Sequence, residues 1–104
     1  MIDVEIKHVE KVSFNTYNNW HWGRKKKFKD SLRLLTKSAT KLKLKGGYEL
    51  KFTFYFKGRK LDSVNTFHYC KIIEDTIFDQ DNENRRISTI ALKGKENKVL
   101  LEIK

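Results

Sequence analysis

With one cysteine, Cys70, in 104 residues the chain cannot close an internal disulfide, and neither Cys70 nor His8, His21 and His68 stand at zinc-ligand spacings. A reducing compartment is the expectation. No apolar run approaches the ~20 residues of a membrane-spanning helix, and Met1-Ile2-Asp3-Val4-Glu5 has no basic stretch leading into an apolar one. The sequence therefore predicts a soluble, cytoplasmic protein with no membrane partner. Glycine is sparse, at five residues, and Gly46-Gly47 lacks the surroundings of a phosphate-binding loop, so Lys45-Gly46-Gly47 reads as a helix stop. Carboxylates are also few: 13 Asp and Glu face 23 Lys and Arg, for a formal charge of +10.

That charge is concentrated. Arg24 to Lys45 holds ten basic residues and one acidic residue, Asp30, a net +9 of the total. A segment of this kind attracts a polyanion by counterion release and long-range steering, and nucleic acid is the commonest such partner. The plainer alternative is a solvated lysine-rich helix. The length fits one domain over residues 1–104, and 38% hydrophobic residues in periodic order favour a folded unit over a basic tail.

Ile2, Val4 and Ile6 alternate with charged residues, as in a half-buried strand. Ser13 to Gly23 is polar and aromatic without sustained period and reads as a loop. From Lys25 to about Leu44, Phe28, Leu32, Leu35, Ala39 and Leu42 recur at helical spacing, with the lysines mainly on the other face. Tyr48 to Phe56 alternates strictly and predicts a central strand. A second helix is predicted over about 65–78, where Phe67, Cys70, Ile73 and Ile77 share a face. Strands at Ile87–Leu92 and Val99–Ile103, with a glycine-containing turn between them, predict a closing hairpin. The expectation is an α+β domain, two helices packed on a small mixed sheet with a C-terminal hairpin.

Asp62, Glu74, Asp75, Asp79, Asp81 and Glu83 flank the second helix. Hard oxygen ligands from several segments can hold magnesium, which polarises a phosphodiester and supports an activated water; alternatively such carboxylates only solvate a loop. Trp20 and Trp22 offer faces for unpaired bases or else pack in the core or a dimer contact. His68 and Cys70 read as helix and core residues in preference to ligand and nucleophile.

The order of these features resembles the RusA-like Holliday junction resolvases. Ser13-Phe14-Asn15 with Tyr17 is similar to the family's aromatic Ser-x-Asn loop, without the proline usual before that serine. Asp62-Ser63-Val64-Asn65 is similar to Asp-x-Asp-Asn, Lys71 and Asp75 follow at a spacing seen in some members, and Asp81-Asn82 resembles an Asp-Asp pair. The resemblance implies a homodimer that binds branched DNA and cleaves it with Mg2+, with Asp62, Asp81 and Lys71 as catalytic residues. Val64 and Asn82 replace two of three expected aspartates, so a weakened metal site or a shifted set of Asp62, Asp79 and Asp81 is implied. DNA contacts are expected from Asn15, Trp20, Trp22, Arg24, Lys25, Lys26, Lys27, Lys29 and Arg33. The competing expectation is a non-enzymatic, phage-encoded inhibitor or protein-binding module that reuses the fold in the host cytoplasm.

Overall fold

The computed structural model describes residues 1–104. Strand β1 (Ile2–Lys7) is followed by two consecutive helices, α1 (Phe14–Asn19) and α2 (Trp22–Ala39), then strand β2 (Glu49–Lys57). A 3-10 turn at Ser63–Thr66 leads into α3 (Phe67–Ile77), and a second 3-10 turn at Asp81–Glu83 precedes β3 (Arg85–Gly94) and β4 (Lys98–Ile103). The architecture is α+β, with three helices and a four-stranded mixed sheet.

The sheet order is β1-β4-β2-β3. Strand β4 runs antiparallel to both neighbours, pairing Val4 with Leu101 on one side and Phe52 with Leu101 on the other. Strand β3 runs parallel to β2. The expected C-terminal hairpin is therefore corrected: β3 and β4 are consecutive but lie on opposite sides of β2. Their connection crosses the end of β2, where the Lys57 backbone N–H donates to Asn97 Oδ1 at 2.8 Å. Hydrophobic alternation identifies strands but does not say which ones pair, and the short glycine-containing linker invited the local pairing.

Alternation does fix which sheet face is covered. Val4, Ile6, Leu50, Phe52, Phe54, Phe56, Val99, Leu101 and Ile103 are buried. Their strand neighbours Glu5, Lys51 and Glu102 stay at least partly accessible on the other face. Phe28 and Leu32 of α2, and Tyr69, Ile73 and Ile77 of α3, complete a single core. The Phe52, Phe54 and Phe56 rings stack along β2 at centroid spacings of 6.1 Å.

Two helical boundaries differ from expectation. The predicted loop at Ser13 to Gly23 contains α1 and the start of α2; Ser13 caps α1, its Oγ accepting the Thr16 N–H at 3.1 Å. At the other end α2 stops at Ala39, five residues short of Leu44, because Thr40 turns extended (φ −154°, ψ 147°) and its Oγ1 accepts the Leu42 N–H. Leu42 continued the helical spacing by coincidence. The Lys45-Gly46-Gly47 segment is therefore no helix stop. Gly46 is needed for close approach, since a Cβ there would meet the Gln80 carbonyl oxygen at 2.2 Å, and Gly47 adopts φ +83°.

Candidate nucleic-acid interface

The basic residues of α2 do not form one surface. Residues three and four apart share a helical flank, so Trp22, Lys26, Lys29, Arg33 and Lys37 make one stripe while Lys27 points to the opposite side of the buried Phe28–Leu32 seam. Arg24 is held by Glu10 at 2.7 Å and lies 4.2 Å from the Trp20 ring centroid. Lys25 Nζ sits 5.6 Å from the Tyr17 ring, and Lys26 pairs with Asp30 at 2.8 Å. Lys27, Lys29, Arg33 and Lys37 have no carboxylate within ion-pair distance. Asn15 is exposed on α1.

The tryptophans divide. Trp20 packs against the core beside Tyr17 and Phe28, at centroid distances of 6.1 and 6.0 Å. Trp22 is 70% exposed at the head of the α2 stripe.

Lys29 and Arg33 border a cleft of about 480 Å³ between α1, α2 and α3, lined also by Phe14, Phe67, His68 and Lys71 and reached by Arg86 from β3. Two of its four cations are engaged: Lys71 Nζ lies 2.5 Å from Asp81 and 3.2 Å from Asp75, and Arg86 Nε donates to Glu74 at 2.5 Å. The Lys71 ammonium holds the Asp81 carboxyl below its ordinary value, and Asp81 in turn raises Lys71. Glu74 responds differently. Burial pushes its carboxyl up despite the Arg86 contact, because desolvation of a nearly inaccessible carboxylate outweighs one charged partner.

His68 lies at the inner wall of the cleft, stacked 4.9 Å from Tyr17 and 5.8 Å from Phe14, with neither ring nitrogen hydrogen-bonded. Burial brings its pKa down to about 4, weakly opposed by the nearby Val12 backbone, so the ring is neutral near pH 7. Cys70 is buried and its thiol is pushed up to about 12 by desolvation, which suits a core residue and not a nucleophile.

The implied magnesium set does not assemble. Asp62 stands before the 3-10 turn at the N-terminal end of α3, while Asp79 and Asp81 follow its C-terminal end. Eleven helical residues put about 16 Å between those ends, against the 2.0–2.1 Å that each oxygen must reach to ligate Mg2+. No three His, Cys, Asp or Glu side chains are gathered into a possible metal site. Of the residues implied as catalytic, Lys71 and Asp81 meet, and Asp62 sits apart beside Lys11, Arg59 and Lys60.

Phe14, Phe67 and Arg86 were missed as site residues. No sequence signal marked them: the spacing of Phe67 with Cys70, Ile73 and Ile77 predicts a shared buried face, yet Phe67 opens the helix 45% exposed, and Arg86 was hidden by its place next to the acidic loop. No family model, curated protein or solved structure matches the chain.

Proposed function

We propose that the protein binds nucleic acid through the flank of α2 that carries Trp22, Lys26, Lys29, Arg33 and Lys37, with the adjoining cleft as part of the contact. The observation that carries this reading is the pair of free cations, Lys29 and Arg33, side by side on this flank at the edge of the cleft, whereas Lys71 and Arg86 across it are already matched by carboxylates. Phosphate contacts of this kind position a backbone without reading sequence. Branched DNA is the substrate class that the RusA-like resemblance implies, and a dimer would set two such flanks about a twofold axis. Cleavage through Asp62, Asp79 and Asp81 forms no part of the proposal, since those carboxylates are separated by α3 and Asp81 is engaged by Lys71.

Anisotropy titrations of a four-way junction and a plain duplex over a salt series test the reading. Replacing Lys29 and Arg33 together with alanine is expected to weaken binding and to reduce the salt slope by about 2, whereas Lys27→Ala leaves the slope nearly unchanged. Equal effects from the two flanks, or a slope indifferent to Lys29 and Arg33, would overturn the assignment of this surface.

A further inference from the structure

The cleft combines two chemistries that a phosphate-binding surface alone does not need. Its volume of about 480 Å³ falls in the range of ~300–1,000 Å³ typical of sites for small organic groups. Phe67 is 45% exposed at its mouth, and Phe14 meets it edge-on, with centroids 6.2 Å apart and an interplanar angle of 69°. Exposed ring surface at Phe67 is therefore available for stacking. The inner wall is fixed, because His68 is neutral and locked among Phe14, Tyr17 and Tyr69. Charge is distributed unevenly around this aromatic lining: Lys71 and Arg86 are matched by carboxylates, whereas Lys29 and Arg33 are not.

A bare polyanion suits this lining poorly, since Asp75 stands among the cations and Ile72 and the aromatic rings contribute apolar surface. An aromatic ring joined to a single anionic group suits it well. We propose that the cleft is a subsite for one unpaired nucleotide, its base against Phe67 and Phe14 and its phosphate at Lys29 and Arg33. This inference rests on the nucleic-acid reading above and adds the part of the ligand that one pocket takes. The nucleotide must be unpaired because a base inside a duplex has both faces covered by its neighbours in the stack. A phosphotyrosine peptide shares the ring-plus-anion chemistry, but Lys37, also free of a carboxylate partner, lies farther along α2 beyond the cleft lining, as a chain of phosphates would use and one phosphotyrosine would not.

The test uses the full chain and three labelled DNAs at one salt concentration: a fully paired duplex, the same duplex with one unpaired adenine, and that duplex with an abasic residue in place of the adenine. The unpaired adenine is expected to tighten binding roughly tenfold over both other DNAs, the scale of one base–aromatic stack. Phe67→Ala should bring that ratio towards one and Phe67→Trp should retain it, with thermal melts showing that each variant is folded. If Phe67→Ala melts, the adenine-to-abasic comparison on the unmodified protein decides alone. Equal affinity for the adenine and abasic DNAs overturns the subsite and leaves the nucleic-acid reading standing. Failure to bind any of the three overturns both. Binding of a tyrosine-phosphorylated peptide in a Phe67-dependent manner, without adenine preference, would assign the cleft to a protein partner and also overturn the proposal.

Discussion

The Tyr69 hydroxyl, buried on α3, accepts the backbone N–H of Val12 at 2.8 Å and donates to the carbonyl of Glu10. One phenol thereby ties the segment between β1 and α1 to the helix that forms the floor of the cleft. Its deprotonation is opposed by burial and by the Glu10 charge, though eased by the Val12 bond, and the group is pushed well above its ordinary value. Tyr69→Phe keeps the ring packing and leaves both backbone groups short of a partner. A loss of about 2 kcal/mol is expected in urea unfolding. A loss below half a kilocalorie per mole would mean that water or a local shift satisfies both groups.

Acid stability should depend on His68. Above its ordinary pKa of 6.5 the imidazole is neutral in folded and unfolded chains alike, and its contribution to stability is fully present. Between 6.5 and about 4 the unfolded chain takes up a proton that the folded chain refuses, so stability falls as pH falls. The full loss is about 3 kcal/mol by linkage. Lys29, Arg33, Lys71, Asp75 and Arg86 line the same cleft, but burial is the cause of the shift. Glu74, whose carboxyl is raised, works in the opposite direction towards the acid end and offsets part of the decline. His68→Phe should flatten urea midpoints measured from pH 7 to pH 4; an unchanged slope would locate the acid sensitivity elsewhere.

Restoring aspartates at the positions implied by the resemblance should not build a metal centre. Val64 is 60% exposed in the turn before α3, and Asn82 lies in the turn beyond it. The double variant Val64→Asp, Asn82→Asp is expected to show no rise in melting temperature with magnesium or manganese and no junction cleavage, because α3 holds the new carboxylates apart. A clear metal-dependent rise would contradict that separation.

Trp20 and Trp22 should separate in a stability measurement. Trp20→Ala removes rings from the margin of the core and should cost about 2 kcal/mol, less than the loss of a fully buried tryptophan. Trp22→Ala should stay within about 0.5 kcal/mol of the parent, as exposed positions do. Similar losses from both would place Trp22 in a packed environment that its exposure does not suggest.

Strands β1, β2 and β4 and helix α3 were legible because their apolar residues repeat at two or at three and four, and tertiary packing follows that repeat. Helix α1 was not: six residues offer barely one turn of periodicity, and only the Ser13 cap marks its start. The end of α2 was misread because Leu42 and Leu44 are inward-facing on extended chain, at positions that also fit a helical face. At the site, the cationic segment was visible as charge, but its division into two flanks needed the register of α2. The cleft itself was invisible, since Phe14, Arg33, Phe67 and Arg86 meet only through long-range packing.

Placing β4 between β1 and β2 has a consequence for how the molecule can be assembled. Synthesis delivers β1 first and β4 last, yet β4 is the only strand that β1 touches. A chain ending at Asn97 would have β1 without a neighbour and one edge of β2 open, with Val4, Ile6, Phe52 and Phe54 lacking the residues Val99 and Leu101 against which they register. The parallel β2–α3–β3 unit can collapse earlier, but α2, which carries the cationic stripe, gains its full sheet only when the final six-residue strand slots between two others. Completion of the sheet should therefore be a late step, and removal of residues 98–104 should lower the melting temperature sharply or prevent folding.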